Sequence, residues 1–215
     1  MAQKPSAADF AAIDAALRLI DREIWVITAA DGERRGGLVA TWVSTASIDR
    51  DRPVLLAGIA PNHFTAELVQ ASGAFAAHLL RPDQSAVAWN FAAGSGRDRD
   101  KLASVECSRG QTGSPLLADC LAWFDCRVFA RYDAGDRLFF WADVAGTLRV
   151  PSLGNGSSMA DDGTRSVPTT TATLREHVFI TSLTDDQRRQ LLADRTADLA
   201  VHRPLYDSWR SKKPW

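Results

Sequence analysis

Between Gly36 and Thr65 the chain reads GGLVATWVSTASIDRDRPVLLAGIAPNHFT, two extended runs joined by a short polar turn. Residues 38–48 and 53–60 are rich in β-branched and apolar side chains, which favour an extended backbone, and residues 49–52 separate them. Gly36 and Gly37 open the first run, while Pro61 and Asn62 close the second just before a helical pattern. Thr41, Ser44, Thr45 and Ser47 place hydroxyls on a half-buried strand, where each needs a partner. Those partners are one another, the backbone, or a polar ligand laid across the strand.

The flanking segments predict how this hairpin is extended. Residues 7–22 carry Phe10, Ile13, Leu17 and Ile20 on one helical face and predict a packed surface helix. Residues 24–30 predict a strand, and Asp31 with Gly32 suits the tight turn of a hairpin leading into the next run. Residues 63–72 predict a helix ended by Gly73, 74–80 a strand and 84–91 a short helix. Residues 120–132 and 137–144 predict a second hairpin around Gly135. Alternation of Ala122, Phe124 and Cys126 with Trp123, Asp125 and Arg127 predicts one buried face, with Cys120 and Cys126 both on it as core thiols.

Beyond residue 150 the composition changes. Residues 152–173 are Gly-, Ser-, Thr- and Asp-rich and predict a long loop. Residues 178–180 fit a short strand or part of a helix. Thr184 and Gln187 have the spacing of a capping box, and Leu191, Leu192 and Leu199 give the following helix an incomplete apolar face. The organisation expected is one domain over residues 1–150, with 151–215 a loop and helical extension rather than an independent domain.

A net charge of −1 and a pI near 6.4 argue against nucleic-acid binding, which normally shows a basic excess. No apolar run approaches the ~20 residues needed to span a bilayer, and the opening MAQKPSAADF lacks the apolar core of a signal peptide. Cys107, Cys120 and Cys126 form no CxxC pair, which suits buried thiols in a reducing compartment. A cytoplasmic location is expected. His63, His78, His177 and His202 lack a metal-binding spacing, and His78, inside a strand, is expected to be structural.

Two further stretches bear on ligands. Thr65 falls in a first helical turn, where free N–H groups favour an anion, although a helix-start hydroxyl also occurs there without one. The loop GSGRDRDK at 94–101 combines Gly94 and Gly96, which permit close backbone approach, with Ser95, Arg97 and Lys101. Asp98 and Asp100 break up its positive field, so a solvated charged loop is the competing description. Neither the Walker spacing nor a GxGxxG fingerprint is present.

Taken in order, GLVATWVSTASID at 37–49, NHFTAELVQASGAFAAHLL at 62–80 and SGRDRDK at 95–101 resemble the flavin reductase-like, FMN-binding split-barrel family, especially its flavoredoxin-like branch. GSPLLADCLAWFDCRV at 113–128 and the Gly-Asp pair at 135–136 continue the resemblance, which covers roughly residues 10–150. It implies a mainly β fold with peripheral helices, a Greek-key split β-barrel that dimerises with FMN near the subunit interface. By the same resemblance Thr41, Trp42, Val43, Ser44 and Thr45 would face the isoalloxazine, and Ser47 would hold that strand. Asn62, His63 and Thr65 would meet the ribityl phosphate, with Ser95, Arg97 and Lys101 on the phosphate-side loop. NADH or NADPH would deliver hydride to N5 of FMN, which would pass electrons to another flavin or a different acceptor. A non-enzymatic FMN carrier and a split barrel that holds haem or another ligand are the alternatives. This chain departs from the family at Arg137, where a His is common, and at Trp42, where smaller residues are common.

Overall fold

The computed structural model describes residues 6–148 and 172–212. Nine strands and five helices follow in the order α1 (Ala7–Leu17), β1 (Trp25–Asp31), β2 (Arg34–Ala40), β3 (Val43–Thr45), β4 (Val54–Ile59), α2 (Phe64–Ser72), β5 (Ala74–Leu79), α3 (Ser85–Ala92), β6 (Cys107–Arg109), β7 (Pro115–Leu117), β8 (Ala122–Asp133), β9 (Leu138–Thr147), α4 (Glu176–Ser182) and α5 (Asp185–Ser211) among the described residues. The expected loop at 152–173 lies almost wholly outside them.

Seven strands form one antiparallel sheet in the order β2-β1-β5-β8-β9-β4-β3. Its two edge strands, β2 and β3, are consecutive in the chain and separated only by Thr41 and Trp42. Such a link spans at most ~11 Å from Ala40 to Val43, so the edges must meet and the sheet curls into a barrel split at that seam. The expected single strand over 38–48 is therefore two. The break is pinned where Gly58 N donates to Trp42 O at 2.8 Å.

The barrel interior alternates small and large groups, with Ala29, Ala57, Ala77 and Ala142 among Ile27, Phe75 and Phe140, as a narrow bore requires. A second cluster on the outer face joins Ile24, Val26, Phe91, Leu117 and Leu174. Strands β1 and β5 are buried on both faces, which explains their unbroken apolar runs. Leu174 returns after the undescribed stretch and exchanges backbone bonds with Ile24 and Leu80 at 2.8 Å.

Turn chemistry follows the sequence. Gly32, Gly73 and Gly135 have φ of 59, 67 and 83°, at the first hairpin, the α2 C-cap and the β8–β9 turn. Residues 178–180 belong to helix α4, and the Thr184–Gln187 capping box forms. His78 is buried, with Nδ1 3.0 Å from Val26 O and Nε2 accepting from Leu117 N at 3.1 Å. Burial pushes its pKa down to about 4, and it is structural.

Three expectations need correction. The helix expected over 7–22 ends at Leu17, none of α1 is buried, and Phe10, Ile13 and Leu17 on it, with Ile20 beyond it, are exposed. Cys120 and Cys126 do not share a face, because β8 begins only at Ala122; Cys120 packs in the outer cluster and Cys126 in the barrel. Burial pushes both thiols up to about 12. Asp125, assigned by alternation to the open face, is buried where the β6–β7 hairpin covers it, accepting from Thr112 N at 3.0 Å.

Candidate functional site

The seam of the barrel opens into a recess of about 110 Å³ whose walls include Leu38, Ala40, Thr41, Trp42, Gly58, His63 and Arg137. A closed sheet would leave no room here; the split makes it. Trp42 stacks on Phe139 with ring centroids 6.1 Å apart and planes at 5°, and the Arg137 guanidinium lies 4.8 Å from the indole centroid. Gly58 leaves this stack its room, since a Cβ there would sit 3.0 Å from the Phe139 ring and 3.3 Å from Trp42 Cβ. Burial lowers the pKa of Arg137 from its ordinary value, although an arginine remains charged.

Next to the recess α2 begins. Its N-cap residue, His63, has extended backbone angles and caps no N–H with its side chain, so the helix start retains donor capacity and the positive end of its dipole. Arg97 reaches this point from the 94–101 loop. Its Nη1 donates to Asn62 O at 2.9 Å, Nη2 pairs with Glu67, and the guanidinium lies 5.8 Å from the centre of the Phe64 ring. Ser95 Oγ accepts from Arg97 N at 3.1 Å and shapes the loop. A basin of about 340 Å³ lies alongside, lined by Arg34, Arg35, Phe64, Gly96, Arg97 and Arg99 among others.

The nominated residues therefore separate. Thr41, Trp42 and His63 line one recess, Asn62 and Arg97 meet beside it, and Ser95 shapes the Arg97 loop. Thr65 is buried in the first turn of α2. Val43 pairs with Ala57 on the edge of the sheet. Ser44, Thr45 and Ser47 do not line the recess; Ser44 Oγ donates to Thr45 O at 3.0 Å, and Ser47 Oγ accepts from Asp49 N at 3.0 Å. Lys101 turns inward: it is 3% exposed and its Nζ donates to Phe91 O at 2.8 Å. Burial and the nearby Arg99 push its pKa down to about 8.

Two site residues escape the sequence. Asp198 and His202 on α5 contact Asn62, His63 and Arg137 across 65 to 140 positions. No local motif links them to the barrel. A glycine at the other end of that contact is the nearest thing to a signal: a Cβ on Gly135 would lie 2.7 Å from Trp209 Cβ and 2.8 Å from Leu205 O.

The residues present suit a flat polar ring that carries an anion. The recess offers aromatic and backbone walls, and the uncapped helix start with Arg97 offers an anion seat one residue away. Among the described residues no cluster could hold a metal, and no helix is long and apolar enough to cross a membrane.

A family model described as "Flavin reductase like domain" matches residues 17–162. "Diflavin flavoprotein A 1" of Synechocystis sp. is 27% identical over 133 residues, 61% of this chain and 23% of that protein. "Probable flavin reductase" of Rhizobium meliloti is 31% identical over 116 residues, 54% of this chain and 36% of that protein. The chain thus spans well under half the length of either curated relative. Among solved structures, a nitrilotriacetate monooxygenase component B homologue from Mycobacterium thermoresistibile has a TM-score of 0.58 at 27% identity, covering 67% of this chain and 78% of that one.

Proposed function

As the chain belongs to the flavin reductase-like family, we propose that it binds FMN and acts as an NAD(P)H-dependent flavin oxidoreductase. The observation that carries this is the adjacency of the Trp42 recess to the uncapped α2 start and Arg97, which suits a ring bearing a single phosphate. Thr41 and Trp42 would border the ring, and Asn62, His63 and Arg97 would hold the phosphate. Bound FMN would supply the redox chemistry, taking hydride from the nicotinamide and releasing electrons to an acceptor. The protein orients the ring and limits water at the seam.

The recess at the seam is small in one protomer. The recess of about 110 Å³ compares with ~300–1,000 Å³ for ordinary small-molecule sites. Trp42, Ser44 and Thr45 stay exposed on the edge, and the apolar face of α1 is uncovered. A homodimer would complete the site, and light scattering should give about twice the 23.4 kDa chain mass. Its three free cysteines, two of them buried, suit the cytoplasm.

The test is cofactor extraction after incubation with FMN, FAD or riboflavin, followed by anaerobic addition of NADH and NADPH. FMN should be retained and bleached. Failure to bind FMN in excess would end this proposal. A second reading, a non-enzymatic FMN carrier, is favoured by Arg137 covering the indole of Trp42 and by α5 over the mouth, which narrow the approach for a nicotinamide. FMN that binds but resists bleaching would select it.

A further inference from the structure

Five side chains form one hydrogen-bonded line across the mouth of the recess, and two of them come from α5. Arg137 Nη1 donates to Asp136 O at 2.6 Å and reaches His202 Nδ1 at 3.2 Å. His202 Nε2 stands 2.9 Å from Asn62 Oδ1, and Asn62 Nδ2 donates to Asp198 Oδ1 at 3.1 Å. Asp198 Oδ2 lies 3.4 Å from His63 Nε2. Asp198 and His202 are one helical turn apart and share a face.

The line has one consistent polarity. An arginine only donates, so His202 Nδ1 must accept from it, which leaves the imidazole neutral with its proton on Nε2. That proton goes to Asn62 Oδ1, and the Asn62 amide nitrogen then points to the Asp198 carboxylate. The same asparagine offers its backbone carbonyl to Arg97. The line therefore ties the ring end of the recess to its anion end. His202 is 5% exposed and the only buried residue of α5, so a polar contact is part of the seat of this 27-residue helix, beside the packing of Leu191 on the outer cluster and of Trp209 on Tyr132.

We propose that His202 and Asp198 are positioning residues for the flavin site, fixing the Arg137 guanidinium over Trp42 and Asn62 beside Arg97 for as long as His202 is neutral. The proposal rests on the reading of this recess as the flavin site. Both residues lie beyond the 17–162 span that matches the family, so the device belongs to this chain's own extension.

The groups facing His202 are Arg137 and Asp136 from the β8–β9 turn, His63 from the start of α2 and Asp198 on its own helix. Burial and then Arg137 lower its pKa from 6.5, against the opposing pull of Asp198 and Asp136. A lowered pKa in the seated helix means that seating favours the neutral ring. The line is complete above about pH 6.5 and is lost as pH falls through the lower seated value, when two donors meet at Nδ1.

The test is titration of FMN and riboflavin into the full chain from pH 7.5 down to the lowest pH at which it stays folded, with H202Q and H202A beside the wild type. Glutamine can accept from Arg137 and donate to Asn62, as the neutral imidazole does, but it does not titrate. Wild-type riboflavin affinity should fall about tenfold on acidification, the weight of one hydrogen bond to a charged group. Riboflavin is the cleaner ligand because the FMN phosphate itself titrates near pH 6. H202Q should restore the high-pH affinity across the range, and H202A should stay about tenfold weak throughout. An H202Q variant that keeps the wild-type pH dependence, or an H202A variant with undiminished affinity at pH 7.5, overturns the proposal. A readout without flavin separates this failure from failure of the functional reading: in imidazole NMR, R137A should raise the His202 pKa. A value that does not move refutes the hydrogen-bonded line even where flavin binds, and a wild type that binds no flavin refutes the flavin role even where the value moves.

Discussion

The two ends of the recess are built differently. The anion end is assembled around a helix start: Asn62 and His63 precede α2, and Arg97 reaches Asn62 from 35 positions away. The ring end collects Trp42 from the seam, Gly58 from β4 and Arg137 from the β8–β9 turn, and is then held by His202 from 65 positions beyond Arg137. The first uses a helix start and one cation, a device that works wherever those parts meet. The second depends on the whole barrel and on a helix outside the family-matching span. Damage to one end should therefore differ in kind from damage to the other.

The largest effect is expected at Gly135, which seats the helix that holds Arg137 at the ring end and Asn62 beside the anion end. Its φ of 83° disfavours any side chain, and a Cβ would run into Trp209 and Leu205 of α5. The backbone cost of ~1–3 kcal/mol and an overpacking cost of ~1–3 kcal/mol put Gly135→Val at about 3 kcal/mol or more of lost stability. Urea unfolding measures it. A loss below ~1 kcal/mol would mean that α5 is not seated on this turn, and the contrast between the ends would collapse. Flavin titration should show both FMN and riboflavin weakened.

Arg97→Gln strikes the anion end. Loss of a charge-assisted hydrogen bond to the phosphate is worth ~1.5–3 kcal/mol, or about one to two decades in FMN affinity. Riboflavin, without the phosphate, should lose far less. Equal losses for the two ligands would put the phosphate elsewhere and leave Arg97 as the partner of Glu67 and Asn62 alone.

The smallest effect on binding is expected at Lys101, which belongs to neither end. Lys101→Met should leave FMN affinity within about twofold while changing how stability depends on pH. The folded-state pKa of Lys101 is lowered from 10.5 to about 8, so the folded protein binds fewer protons between those values. Its linkage contribution is fully present above pH 10.5 and is lost as pH falls through 8. Stability of the wild type relative to the methionine variant should therefore rise between pH 8 and 10.5. A flat difference would show that burial does not perturb this ammonium.

The contrast between the ends also marks what could be read in the sequence. Turns were legible because Gly32, Gly73 and Gly135 sit where backbone angles leave few alternatives. The family was legible from the order of the blocks at 37–49, 62–80 and 95–101. Asn62, His63 and Arg97 came as a group from the resemblance, which sets the helix entry beside the glycine-rich loop, and the structure brings Arg97 to Asn62. The inward turn of Lys101 was not, since Arg97 and Lys101 look alike on paper and only the burial of Phe91 and Leu102 around the loop separates them. Helix α1 misled in the opposite direction: its spacing puts Phe10, Ile13 and Leu17 on one face, but spacing does not say what covers a face. Helix α5 showed too few apolar positions to reveal a seat made by Asp198, His202 and the missing side chain of Gly135.

The seam at Thr41 and Trp42 has a consequence for how this barrel tolerates change in length. In a hairpin such as β1–β2, added residues enlarge a loop while the paired strands keep their register. The seam links strands that are not paired with each other, so its two residues act as a gauge on the bore. One inserted residue would let the edges part and, because side chains alternate along an extended chain, would also turn the indole of Trp42 toward the opposite face. Width and facing are thus set by the same two positions, and a single-residue indel there alters both at once.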